Sequence, residues 1–312
     1  MIILGSIIFI VIFLAVLYGT YRYTFGVDAK RLAGDEEIPD WDVPVGLAEY
    51  VHNNIELMKA TPSQKVTIVS KDGVKLCGRF YLKKETAPVV LCFHGYRSSA
   101  LRDGMGAFQL GYNNGYNVLL VEQRAHHGSG GKTITFGVKE RWDCLEWIQY
   151  IRETQGENTP IFLAGLSMGA ATVLMAAGLE LPKNVKGVLA DCSYSAPKDI
   201  LKVSIGMMRL PVEPVYFLVR LSARVFGGFD PEAASVTESL KNCKVPVLFV
   251  HGENDRMVPC EMCRENYEAC ASKKELLLVP GADHGMSYAL ARKQYQEMLY
   301  AFAEKYINEN EE

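Results

Sequence analysis

Ser167 stands at the centre of Gly165-Leu-Ser-Met-Gly169. A serine with glycine two residues away on either side suits nucleophilic attack. Without those Cβ atoms a strand and a helix can close on a tight turn that holds the hydroxyl at its apex. A hydroxyl attacks poorly without a base. The candidate base is His284, in Val279-Pro-Gly-Ala-Asp-His-Gly285. An imidazole acting as base needs a carboxylate to hold its tautomer and stabilise its cation. Asp255, closing Val250-His-Gly-Glu-Asn-Asp255, is the candidate, with Asp191 as a rival. Asp283, next to His284, is expected to point elsewhere. The chemistry would be acyl transfer, which also needs donors for a developing oxyanion. The amides of Tyr96, in His94-Gly-Tyr-Arg97, and of Met168 are the candidates, with His94 bracing its loop. The plainer alternatives are a packing turn at Ser167 and a surface histidine at 284.

These residues need a scaffold that gathers them, and the hydrophobic pattern describes one. Ile161-Phe-Leu-Ala164 runs into the serine turn, and Ala170 to Ala177 follows it as a helix-like stretch. Short, wholly apolar runs recur at Pro88–Phe93, Asn117–Val121, Val185–Ala190, Val245–Val250 and Glu275–Val279. Strands apolar on both faces belong in a parallel sheet covered by helices on each side. Before them, Lys65–Ser70 and Val74–Tyr81 flank Lys71-Asp-Gly73, which predicts a hairpin. The expectation is an α/β domain over 60–312 with an eight-stranded, mostly parallel sheet. Candidate residues fall just past strand ends, where open α/β sheets place their sites. Residues 194–241 are too long for a plain crossover, and their apolar stretches around Pro211 and Pro214 predict a helical cap.

Residues 2–19 carry no charge and are long enough to cross most of a hydrocarbon layer roughly 30 Å thick. Tyr18, Tyr21 and Tyr23 gather at the end, as aromatics do at a bilayer interface. A cleaved signal peptide would want basic residues before the run and a small-x-small site after it, and neither is present. The expectation is an uncleaved transmembrane anchor over 1–23, then a linker or N-terminal arm over 24–59. Arg22, Lys30 and Arg31 follow the apolar run, which predicts a cytoplasmic catalytic domain. A net charge of -3 offers no basic surface for nucleic acid. The eight cysteines sit mostly in apolar runs and read as core packing. Cys260-Glu-Met-Cys263 has metal or redox spacing but lacks a second pair.

Together, Leu91-Cys-Phe-His-Gly95, Val121-Glu-Gln-Arg-Ala-His-His-Gly-Ser129, the Gly165–Gly169 turn, Val250–Asp255 and Gly281–His284 resemble the α/β-hydrolase superfamily. They are similar to its BEM46-like and prolyl-oligopeptidase-related serine hydrolases, over residues 60–308 apart from much of the cap. The order Ser167, Asp255, His284 is the superfamily's triad order. The resemblance implies no metal or organic cofactor. Where the superfamily usually has Asp-x-Arg-Gly-x-Gly-x-Ser, this chain has Glu122 and Ala125 in place of the aspartate and first glycine. Arg124 is expected to brace that loop, with Glu140 and Asp143 as possible partners.

The expected function is hydrolysis of a carboxylic ester or related acyl bond, on a small-molecule or lipid-like acyl substrate. A serine peptidase acting on short peptides, and a catalytically silent membrane-tethered binding protein, are the alternatives. If residues 1–23 serve only as an anchor, deleting them should spare turnover of soluble esters.

Overall fold

A computed structural model describes residues 2–27, 32, 34 and 46–307. The chain enters as one long helix, α1 (Ile2–Thr24), followed by α2 (Leu47–Ala60). The predicted hairpin forms from β1 (Gln64–Val69) and β2 (Lys75–Tyr81). Its turn is closed by Ser70 Oγ, which accepts from the Val74 amide at 2.9 Å, and by Gly73 at a φ of +81°.

From β3 onward strands alternate with helices. β3 (Val89–Phe93) leads to α3 (Ala100–Ala107), whose last turn widens into a π-turn over Phe108–Tyr112. β4 (Asn117–Glu122), α4 (Glu140–Gln155), β5 (Ile161–Leu166), α5 (Met168–Ala177) and β6 (Val185–Asp191) follow. An insertion then supplies α6 (Pro197–Met207), α7 (Val212–Ser222) and the short α8 (Val236–Leu240). β7 (Val247–Gly252), α9 (Cys260–Ala269), β8 (Lys274–Val279), α10 (Ser287–Leu290) and α11 (Arg292–Ile307) complete the domain.

The eight strands form one sheet in the order β1-β2-β4-β3-β5-β6-β7-β8, antiparallel through β2 and parallel from β4 on. Central strands are buried on both faces, as their unbroken apolar composition requires. Alternate side chains feed opposite cores. Val89, Leu91, Ile161 and Leu163 join α4 and α5 on one face, while Cys92 and Ala164 meet α2 and α3 on the other. The chain leaves β3 toward β4 on one side, and β5 lies on the other. That reversal opens a crevice at the carboxyl ends of β3 and β5.

Two features add to what the sequence predicts. Much of 24–59 lies outside the described residues, and its final part is the helix α2. Val51, Ile55 and Met58 recur at helical spacing, and α2 buries all three against the sheet. The end of α1 is also more than a tether. Leu17 is 1% exposed and Phe25 is fully buried. The Tyr18 and Tyr21 rings pack on Phe226, and Phe25 packs edge-on against Phe136 and Phe229. The backbone of Ile134 donates to Phe25 O at 2.9 Å. The apolar residues from Ile3 to Val16 remain largely exposed.

Candidate active site

The turn after β5 is as crowded as its glycines imply. A Cβ on Gly165 would overlap the Gly169 backbone, and one on Gly169 would overlap the Phe93 carbonyl. Ser167 is held at φ 55° and ψ -115°, outside the regions that L-residues ordinarily populate. Strained backbone of this kind persists only where its surroundings over-determine it, as at a nucleophile. Met168 follows as the first residue of α5, where amides have no intrahelical acceptor.

Three side chains distant in sequence meet at the carboxyl edge of the sheet. His284 Nε2 lies 3.0 Å from Ser167 Oγ, and its Nδ1 lies 2.7 Å from Asp255 Oδ2. Asp255 Oδ1 accepts from the amides of Met257 at 2.9 Å and Val258 at 2.7 Å. Burial alone would raise this carboxyl. Hydrogen bonds from His251 and His284 and from the Val258 amide outweigh it and hold Asp255 well below the usual carboxylate range. His284 therefore faces a charged acceptor.

The rival Asp191 is placed differently. Its Oδ2 accepts from the Tyr295 hydroxyl at 3.1 Å, while Oδ1 has no partner. Burial pushes its carboxyl up to about 6. Asp283 points away from the imidazole ring. It accepts from the amides of Arg256 and His284 and from Arg256 Nε, tying the Asp255 and His284 loops together.

His251 is a residue that sequence reasoning passed over. It is fully buried on β7, and its Nε2 lies 2.9 Å from Val258 O and 3.2 Å from Asp255 Oδ2. Its i, i+4 spacing to Asp255 was visible, but only the bend after β7 turns that spacing into a contact.

The loop after β3 runs directly against the serine. A Cβ on Gly95 would sit 3.4 Å from Ser167 Cβ. The Gly95 amide donates to Asp103 Oδ2 at 2.7 Å. The Arg97 amide donates to His126 Nε2 at 3.0 Å. His94 accepts the Gln123 amide on Nε2 at 3.0 Å, and its Nδ1 lies 2.7 Å from Gly95 O, so it braces the loop. The loop is also bound to the end of α1. The Tyr96 hydroxyl donates to Thr24 O at 2.8 Å, and Arg97 Nη2 donates to Tyr23 O at 2.7 Å.

Arg124 braces the neighbouring loop with Asp143 on one side and Asp72 on the other. The Arg124 hydrogen bond holds Asp72 well below the carboxylate range. Glu140 instead takes the amides of Thr135 and Gly137.

Among the described residues, Cys192, Asp255 and His284 bring ligand atoms within 4.8 Å of one another, which is close enough to hold a metal. The imidazole nitrogens are already engaged, Nε2 with Ser167 and Nδ1 with Asp255 itself. Burial, helped by Asp191 and Asp255, raises the Cys192 thiol well above its ordinary range, which disfavours the thiolate a metal would need. To bind a metal, His284 would have to surrender its bond to Ser167 or to Asp255. All eight cysteines are free thiols, and burial raises both Cys260 and Cys263.

A cavity of about 910 Å³ opens beside Ser167 and His284. It lies on the face of the sheet covered by α2, α3, α10 and α11, and none of its described walls comes from 194–241. The insertion packs instead along α1 through α7.

The alpha/beta hydrolase family model matches residues 89–295, and the chain belongs to that family. It is similar to the Bacillus subtilis protein YqkD, 25% identical over 80% of this chain and 82% of that one. It is also similar to the rat lysophosphatidylserine lipase ABHD12, 24% identical over 60% of this chain and 46% of that one. A Pyrococcus furiosus esterase superposes with a TM-score of 0.66 at 22% identity, covering 90% of this chain and 100% of that chain, which is a likeness of fold. The kinship is at the level of the superfamily.

Proposed function

We propose that this protein is a membrane-anchored serine hydrolase that cleaves carboxylic esters through an acyl-enzyme intermediate. The observation that carries the reading is the unbroken Ser167–His284–Asp255 chain, at 3.0 and 2.7 Å, beside the 910 Å³ cavity. Ser167 Oγ attacks the ester carbonyl as His284 Nε2 takes its proton. The negative charge that develops on the carbonyl oxygen is met by the amides of Met168 and Tyr96. His284 passes its proton to the leaving alcohol and then activates water to release the acid. Asp255 keeps Nδ1 protonated and stabilises the imidazolium.

Kinship with proteins named as esterases and a lysophospholipid lipase supports an acyl ester as substrate. One helix is long and apolar enough to cross a membrane, a property that signal sequences share. The burial of its last turns in the domain supports retention as an anchor. With Arg22 at the helix end, the catalytic domain is assigned to the cytoplasmic side.

The test is covalent labelling by a fluorophosphonate probe, with p-nitrophenyl ester turnover measured in parallel. The wild-type chain should react with the probe and Ser167→Ala should not. Undiminished labelling of the alanine variant would refute the assignment.

A further inference from the structure

The cavity has a direction. Its walls follow β5 from Phe162 to Leu166 and end at Ser167. Leu189 of β6 and Val90 and Cys92 of β3 continue this floor. Met105 and Leu110 stand on the α3 side, Leu299 and Ala303 on the α11 side. At the far end Asn114 Nδ2 donates to the Tyr300 hydroxyl at 2.6 Å.

Most polar groups along the way are bonded into the fold. Asp103 accepts from Gly95, and Tyr295 donates to Asp191. Among the described side chains of this wall, Asp191 Oδ1 and Ser98 Oγ are the buried atoms without a partner.

Gly106 is unlike its neighbours on α3. It lines the cavity, and a Cβ there would meet no atom within 4 Å. By contrast, a Cβ on Gly104 would run into Leu120. Glycine destabilises a helix interior relative to alanine, and with open space beside it the missing side chain at 106 is not explained by packing.

From Phe162 to Leu166 β5 advances roughly 13 Å at about 3.3 Å per residue, and the step to Ser167 brings the span to about 16 Å. An extended polypeptide covers about 3.3–3.6 Å for every three backbone bonds, so an extended alkyl chain of roughly fourteen bonds spans the same distance.

Building on the reading of Ser167 as nucleophile, we infer that this slot takes the acyl chain of a long-chain monoacyl ester, and that Gly106 keeps it deep enough to do so. The chain lies on the floor formed by β3, β5 and β6, between α3 and α11, with its carbonyl at Ser167 and its alcohol outside. Attack then leaves the chain seated as the acyl group on Ser167 Oγ while the alcohol departs with the proton from His284. Water cleaves that bond and frees the acid.

The experiment measures kcat/KM for p-nitrophenyl esters from acetate to stearate with the full chain in nanodiscs, together with fluorophosphonate labelling. Each buried methylene should raise kcat/KM by roughly threefold to fourfold until the slot is full, near fourteen carbons. Gly106→Trp should lower the myristate-to-butyrate ratio at least tenfold, while Gly106→Ala should hold it within twofold. Ala303→Phe, on the opposite wall, should lower the ratio as well and stands in if the tryptophan variant does not fold. Labelling and acetate turnover with a flat chain-length profile would overturn the slot assignment. So would an unchanged profile in both bulky variants. Neither labelling nor turnover at any chain length would overturn the hydrolase reading and the slot with it.

Discussion

Ser167, His284 and Asp255 each depend on groups that take no direct part in the chemistry. On the proposed reading of these three as a triad, Ser167→Ala should lower ester turnover by roughly 10⁴-fold or more, since triad members act as a unit. On the proposed hydrolase reading, His251 is a positioning residue that acts through Asp255, 3.2 Å away. A hydrogen bond to a charged group is worth about 1.5–3 kcal/mol. His251→Leu should therefore cut kcat by roughly tenfold to a hundredfold with little change in KM. His251→Gln, which retains an N–H donor, should recover part of the loss. Steady-state kinetics on one ester separates these outcomes.

Asp191 makes a pH-dependent prediction. Its carboxyl titrates near 6 in the fold, against an ordinary 3.8. Between those values the folded chain keeps a proton that the unfolded chain has lost, so stability falls as pH rises through this window. Above it the cost stays constant at about 3 kcal/mol as an upper figure. Asp191→Asn does not ionise and leaves an oxygen for Tyr295. Denaturant melts should show it more stable than wild type by about 1–3 kcal/mol at pH 8, with the advantage vanishing toward pH 4.

At the scale of elements, the serine turn and the loop after β3 lock each other. Gly169 lies where any Cβ would overlap the Phe93 carbonyl, which is backbone and has nowhere to go. Gly169→Ala should destabilise the fold by about 3 kcal/mol or more, read as a lowered melting temperature or loss of soluble protein. The ties from Tyr96 and Arg97 to the end of α1 make that helix part of the site's frame. Deleting residues 1–23 should consequently lower turnover of soluble esters by at least tenfold, together with the melting temperature. This reverses what a plain tether would give. Arg97→Ala in the full chain should reproduce the loss of turnover in part, and Arg97→Lys should be milder. Intact acetate turnover in the truncated chain would show that the loop holds its shape unaided.

For the whole molecule, α1 packs along α7 of the insertion, and no described wall of the cavity comes from the insertion. Met207, Met208 and Phe217 are exposed beside the helix pair formed by α1 and α7. Under the proposed anchoring by α1, these exposed side chains would rest against the bilayer. In carbonate-washed membranes the chain should stay in the pellet, and protease added outside sealed cells should leave the catalytic domain intact. Release by carbonate would argue against a spanning helix.

Local chemistry made the main outline legible in the sequence. Apolar runs of strand length marked every strand of the parallel sheet, because a strand buried on both faces must be apolar throughout. The Asp-Gly turn marked the hairpin, and close approach at the serine turn required its two glycines. The order of Ser167, Asp255 and His284 named the three side chains that the fold brings together. What remained hidden depends on contacts between distant segments. The part His251 plays rests on a bend, and the ties between α1 and Tyr96 and Arg97 join segments more than seventy residues apart. The cavity is a space between layers, whose walls are sheet and helices widely separated in the chain. No local pattern encodes an empty volume, so only the tertiary structure could place it under α2 and α3 rather than beneath the insertion.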